Sequence, residues 1–475
     1  MKITLAARSA PPVRNYRVTA LIVASAMFME QVDGTVLSTA LPAMARSGGT
    51  DPVRMNVALT SYLLSLAVFI PASGKIADRF GSRTVFRAAI VLFTVGSVLC
   101  GRSNGLPFLV ASRILQGIGG AMMVPVGRLV LLRTTAKADL VSAMAWLLVP
   151  ATLGPVVGPP LGGFLVTYLS WRWIFDINVP IGVLGVVLAT LFIEEIKEPD
   201  AGPLDVIGMV LSGTALACLM FGLELAVRSG ALFHLAGVLC AVGILAAALY
   251  WRHAQRQRSP VLDFRLMSVP TFGISVLSGS LFRIAFGATP FLLPLMLQIG
   301  FGMSAVRSGL ITFAGSAGSL LMRAFAKPLL GRFGFRRVLV WNGLISMAVM
   351  AGYAAFRPTW PMPAIYALLL AGGFFQSLQF TAYNTIAYAD LPAARMSAAT
   401  SFYSTFQQLS LSLGITAAAA VLAALTHLLG HARPQLTDFS AAFLLISVIG
   451  VLASPAGLRL APNAGEELSG HHEPA

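Results

Sequence analysis

The apolar residues of this chain fall in long blocks, each near the roughly 20 residues that carry an α-helix across a hydrocarbon core. This feature limits the fold more than any other. A bilayer offers no water to backbone N–H and C=O groups, so a span must satisfy them internally. The blocks lie at about 18–41, 55–75, 85–101, 107–131, 141–168, 174–193, 206–227, 231–251, 270–298, 305–326, 338–356, 363–388, 397–428 and 439–459. One such block suits the core of a soluble protein; fourteen joined by brief polar links do not. Composition agrees: 11% of the 475 residues are charged, against about a quarter in a soluble domain. The chain reads as an all-α integral membrane protein.

The net charge of +15 invites a nucleic-acid partner. Its placement argues against one, because the cations sit in the links between spans. With both ends on the cytoplasmic side, 21 of the 33 Lys and Arg fall in cytoplasmic segments and eight in outer ones. That asymmetry predicts an even number of spans and two cytoplasmic termini. The first block follows Lys2, Arg8, Arg14 and Arg17, as a signal peptide's would, but it is too long for a cleaved apolar region. Cys100, Cys218 and Cys240 lie inside apolar blocks without metal-ligand spacing, and no metal site is expected.

Arg79-Phe80-Gly81-Ser82-Arg83 after the second block is echoed by Arg332-Phe333-Gly334-Phe335-Arg336 after the tenth. Equivalent loops in equivalent places predict two related halves around a midplane site. The expected division is an N-tail (1–17), a six-helix bundle (18–193), two inserted helices with their flanking loops (194–269), a second six-helix bundle (270–459) and a C-tail (460–475).

The first of these loops carries Gly74, Asp78, Arg79, Gly81 and Arg83 in the string Gly-Lys-Ile-Ala-Asp-Arg-Phe-Gly-Ser-Arg. The glycines permit a tight turn and close helix approach, and Asp78 can gather cations at the helix ends. The fifth block holds Gly154-Pro155-Val156-Val157-Gly158-Pro159-Pro160-Leu161-Gly162-Gly163. Glycines every four residues share one face, where a second helix can approach closely. Asp33-Gly34-Thr35-Val36 lies in the first block, Arg113-Ile114-Leu115-Gln116-Gly117 in the fourth, and Trp171-Arg172-Trp173 with Asn178-Val179-Pro180 follows the fifth. In this order the strings resemble the major facilitator superfamily, and within it the 14-span drug:proton antiporters of EmrB/QacA type. Residues 116–128 are similar to the MdtD-like branch. The resemblance covers most of the first half. It implies the major facilitator fold, a proton gradient as driving force with no cofactor, and a multi-pass protein of the bacterial inner membrane. It implies that Asp33 and Arg113 serve proton coupling, that the loop around Asp78 latches the cytoplasmic side, and that Gly154, Pro155, Gly158, Gly162 and Gly163 seal the contact between halves. Some members of that family work with a periplasmic adaptor; nothing in this sequence marks a docking site for one.

A charge inside a span costs roughly 2.5–3.5 kcal/mol on insertion scales, so it faces a cavity or another charge. Asp33 and Arg113 fit an ion pair as well as a proton relay. Burial favours the protonated form of a carboxyl and a nearby cation its ionised form, so a carboxyl between the two can switch. Glu30, three residues before Asp33, lies on nearly the same face and is a second proton carrier or a packing acid. Arg128, Arg283 and Arg323 are the other cations within spans. Arg128 and Arg323, near span ends, can snorkel to the interface. Arg283 lies deeper and favours a cavity, where guanidinium groups suit carboxylates or phosphates. Phe286, Gln376, Gln379, Tyr383, Asn384 and Gln407 offer polar and aromatic groups for a binding cavity or for bonds between helices.

The chain holds no phosphate-binding Gly-x-x-x-x-Gly-Lys-[Ser/Thr] loop, no His-Glu-x-x-His and no nucleophile elbow. An ATP-driven pump and an enzyme are not expected. The expected activity is proton-coupled export of small amphipathic compounds by alternating access, with bilayer, protons and solute as partners. The alternative is a dedicated exporter of an organic anion or metal-chelating metabolite, suggested by Arg128 and Arg283.

Overall fold

The computed structural model describes residues 16–47, 52–198, 204–228, 233–303, 305–432 and 434–470. Lys2, Arg8, Arg14, Arg433, His471 and His472 lie outside the described residues, as do the side chains of Arg46, Arg54, Pro155 and Arg228. The described elements are helical, with no strand among them. A first group holds α1 (Tyr16–Ser47), α2 (Pro52–Phe69), α3 (Ser73–Phe80), α4 (Ser82–Gly101), α5 (Leu106–Thr134), α6 (Leu140–Tyr168), α7 (Trp173–Asp176) and α8 (Asn178–Phe192). Then come α9 (Val206–Arg228) and α10 (Phe233–Arg256), which pack on each other; α9 also packs on α2. A second group holds α11 (Pro270–Gly287), α12 (Thr289–Leu295), α13 (Ala305–Arg337), α14 (Gly343–Gly352), α15 (Met362–Ile386), α16 (Met396–Leu428) and α17 (Leu436–Val451). The short α18 (Glu466–Ser469) ends the described chain.

Eleven stretches of the described residues are long and apolar enough to cross a membrane. The sequence pattern predicts fourteen spans. One of the eleven, Arg307–Ala355, is 49 residues long and contains a bend at Gly334, whose φ is 70°. Residues 74–83, expected as a loop, are instead helix α3 followed by a one-residue turn at Gly81, with φ 95°. Glycine alone adopts that region without steric cost, and it lets α4 start at once. The carboxylate of Glu195 caps α4 from over a hundred residues away: it accepts from the backbone N–H groups of Arg83 (3.1 Å) and Thr84 (3.4 Å) and from the Thr84 hydroxyl. Pro294 removes a backbone donor near the end of α12, and a wide π turn follows over Met296–Gly300.

The sequence echo is a structural one. Gly81 and Gly334 both have positive φ, and Phe80 (53% exposed) and Phe333 (44%) both project outward. The guanidiniums of Arg79 and Arg332 lie 5.7 and 5.8 Å from the centres of those rings. The copies differ one residue earlier, where the first has Asp78 and the second Gly331.

Candidate functional site

α5 brings Arg113 and Gln116, one turn apart, against Asp33 of α1. Arg113 is fully buried and Asp33 is 1% exposed. Nη1 of Arg113 donates to Oδ2 of Asp33 at 2.6 Å, and to Oε1 of Gln116 at 2.6 Å. Gln116 Nε2 donates to Oδ1 of Asp33 at 2.9 Å, and Asn178 Nδ2 from α8 reaches the same oxygen at 3.2 Å. Asn178 also donates to Ser97 of α4 (2.9 Å), and the guanidinium sits 4.3 Å from the ring centre of Tyr62 on α2. Three helices thus meet at one carboxylate, and two more, α2 and α4, join the network through Tyr62 and Ser97. A buried pair repays its desolvation only when further hydrogen bonds satisfy both ions, and three donors do so for Asp33. Glu30 is half-buried on α1, and its Oε2 is shielded with no hydrogen-bond partner among the described residues. Sequence reasoning placed Asp33 with Arg113 but gave no role to Gln116, Asn178 or Tyr62. For Gln116 the signal was its spacing of three from Arg113.

The other two buried arginines meet across the two groups. Arg283 of α11 donates through Nη2 to the Tyr403 hydroxyl (2.7 Å) and to Oδ1 of Asn384 (3.2 Å). Arg128 of α5 donates to Gln407 (2.9 Å) and Ser404 (3.4 Å). Both guanidiniums lie near the Tyr403 ring, at 4.9 Å for Arg283 and 5.4 Å for Arg128. Neither has a carboxylate in ion-pair range among the described residues. Tyr383 is buried beside Gly279, which leaves room for the Arg283 head, and the Phe286 ring packs at a tilt on Phe282 of the same helix. Gln379 is spent elsewhere: it accepts from Asn342 (2.7 Å) and donates to the Leu339 carbonyl (2.9 Å). Gln376, half-buried on α15, is not joined to this cluster by any bond found among the described residues. The structure therefore gathers Arg128, Arg283, Tyr383, Asn384 and Gln407, leaves Gln376 out, and brings Gln379 to the edge of the cluster at Tyr383 but not to either arginine. Tyr403 is the residue that links them.

The two groups are tied together at one end. Oδ1 of Asp78 accepts from Arg133 (2.9 Å), and its other oxygen takes the Ser397 hydroxyl of α16. The Gly74 N–H donates to Ser401 (2.6 Å). Arg133 also bonds Glu198 (3.1 Å). Lys327 of α13 reaches Asp139 at 3.7 Å, and Lys137 pairs with Glu467 of α18. Arg79 is exposed and Arg83 turns to Glu195 (3.7 Å), so of the loop's charges Asp78 alone joins the tie. The glycine face of α6 is directed differently from expectation. A Cβ on Gly154 would strike Gln31, and one on Gly158 would strike Thr35, both in α1 of the same group. Gly162 is buried, and Gly163 is exposed with nothing near it.

A multi-pass helical protein with two tied helix groups, a sealed ion pair in one and an arginine cluster between them is a membrane carrier rather than an enzyme. A profile of the Major Facilitator Superfamily matches residues 23–415, and the chain belongs to that family. Among its relatives is a protein of Serratia proteamaculans named as a multidrug resistance protein, MdtD, 39% identical over 86% of this chain and 85% of its own. A relative of the same name from Pectobacterium carotovorum is 38% identical over 92% of this chain and 93% of its own. Two solved structures share the fold. The proton:xylose symporter XylE has TM-score 0.66 at 14% identity, over 96% of this chain and 98% of that one. The human organic anion transporter MFSD10 has TM-score 0.62 at 16% identity, over 93% of this chain and all of that one.

Proposed function

We propose that the chain is a secondary active exporter of the bacterial inner membrane that exchanges protons for small amphipathic compounds, the activity of multidrug efflux. The names of its relatives support the cargo class. The observation that carries the coupling is the Asp33–Arg113 pair, sealed from solvent in the core of one helix group. A carboxylate there cannot take a proton without loosening its bonds to Arg113, Gln116 and Asn178. Proton loading is thereby linked to the packing of α1, α5 and α8. Glu30, one turn away, is the neighbouring acid through which a proton reaches the pair.

The same proposal includes fourteen spans in a six-two-six order, with both termini cytoplasmic. The 49-residue stretch bent at Gly334 is far longer than the ~30 Å core requires of one helix, which supports two spans there. Helices α2 and α6 supply two more, and the pair α9–α10 is the insertion. The tied end carries the Lys- and Arg-rich segments, so it is the cytoplasmic end, shut in this conformation. Purified protein in liposomes loaded with a pH-reporting dye tests the coupling. Added substrate is expected to drive proton movement with the native chain and none with Asp33→Asn. Substrate movement without proton flux in the native protein would sink the antiport reading.

A second reading is favoured by the Arg128–Tyr403–Arg283 cluster: the cargo is an organic anion held between two guanidiniums. On that reading Arg283→Ala abolishes export of carboxylates and spares lipophilic cations. Tolerance to cationic dyes that is independent of Arg283, with no carboxylate export, rules it out.

A further inference from the structure

Arg323, the fourth arginine within a predicted span, has no part in either site. It lines a cavity of about 280 Å³ with Tyr16 and Arg17 of α1 and Ser142 and Trp146 of α6. We propose that this cavity binds the phosphate headgroup of an anionic phospholipid, which bridges the two helix groups at their lateral seam. The proposal rests on the reading that α1, α6 and α13 span the bilayer.

The chemistry of the lining selects the ligand. Two arginines and two hydroxyl-bearing residues, Tyr16 and Ser142, line the cavity, and no carboxylate is among its lining residues. Arg323 lies over the Trp146 ring, 3.0 Å from its centre, and no acid among the described residues pairs with it. Lys327, one turn along the same helix, differs: it reaches Asp139. Planar guanidinium groups bind phosphate oxygens in pairs, and the Trp146 ring beneath Arg323 holds one such head at the cavity. The depth also fits. Arg17 and Tyr16 open the first helix, and tyrosine and tryptophan concentrate at the headgroup level. One turn deeper than Arg17 on its own face, Leu21 is 50% exposed, so apolar surface continues inward along α1 where acyl chains lie. Because Arg17 belongs to the first group and Arg323 to the second, a phosphate held by both braces the seam.

Native mass spectrometry of the full chain in detergent, titrated with phosphatidylglycerol or with phosphatidylethanolamine of the same acyl chains, tests this. The native protein is expected to retain one phosphatidylglycerol at concentrations where phosphatidylethanolamine is lost. Arg17→Gln with Arg323→Gln is expected to weaken retention about thirty-fold, from roughly one surface-type charge contact per arginine. Trp146→Ala, which keeps every charge but frees Arg323, is expected to weaken it less and provides a second variant if the first does not fold. Arg256→Gln, which removes a cation from the end of α10, is expected to change nothing. Unchanged retention in a folded double variant, or an equal loss with Arg256→Gln, overturns the proposal. Displacement of the lipid by millimolar inorganic phosphate with the same arginine dependence also overturns it, in favour of a free-anion site. Retention is read without gradient or cargo, so failure of the transport reading leaves this outcome distinct.

Discussion

Arg113→Ala is expected to abolish substrate-driven proton movement and to destabilise the protein by about 3–5 kcal/mol, the usual cost of removing one partner from a buried ion pair. The size follows from what remains. Asp33 is 1% exposed and would keep only the amides of Gln116 and Asn178. The substitution also strips the cation from the face of Tyr62 and the donor from the Ala58 carbonyl, which Arg113 Nε reaches at 3.2 Å. Asp33→Asn also leaves a buried cation without its anion and turns an amide N–H toward the Gln116 and Asn178 amides, but it keeps the side-chain volume and an acceptor for Arg113, and is expected to be milder than the truncation. The doubly neutral Asp33→Asn/Arg113→Gln is expected to recover part of the lost stability and none of the coupling. Thermal melting in detergent and liposome proton flux, measured on the same four proteins, separate the two effects. An Arg113→Ala protein that still moves protons with substrate would show that the pair holds the fold and does not carry the coupling.

The second large effect is expected at Gly74. Its N–H donates to Ser401, and a Cβ there would lie 2.7 Å from the carbonyl carbon of Ser397, inside van der Waals contact with backbone. The backbone of α16 cannot yield as a side-chain tip does. Gly74→Val therefore penalises only the arrangement in which the two groups are tied at this end. Overpacking costs about 1–3 kcal/mol, which shifts the tied-to-open ratio some 5- to 150-fold toward open. Ser401→Ala removes the acceptor without adding bulk, at about 1 kcal/mol, and is expected to act in the same direction more weakly. Disulfide yield between Lys137→Cys and Glu467→Cys, which replace an ion pair across the tied end, reads the shift. A Gly74→Val protein with undiminished cross-linking and transport would mean that α16 can move aside.

Much of the fold was legible because the bilayer demands it. A helix that crosses lipid must be apolar over its length, so long apolar helices announce themselves in one dimension. The echoed Arg-Phe-Gly motif was legible for a local reason: both glycines adopt positive φ, which a side chain would resist. The single helix α3 was missed because eight residues with one glycine inside, a second just beyond the end and an Asp-Arg pair in the last turn look like a loop until Asp78 finds Arg133.

The sites divide along the same line. Sequence alone determined that Asp33, Arg113, Arg128 and Arg283 need partners, since a charge in a span is expensive wherever it points. It did not determine who the partners are. Asn178 lies 145 residues from Asp33, and Tyr403 lies 275 from Arg128. Gln379, on the same helix as Asn384, was drawn to Asn342 and away from the arginines. The glycines of α6 kept the close contact their spacing predicts but made it with α1. Spacing along a helix fixes which residues share a face, because that is a property of one chain segment. Which helix covers that face depends on how every other helix packs, and only the tertiary structure decides it.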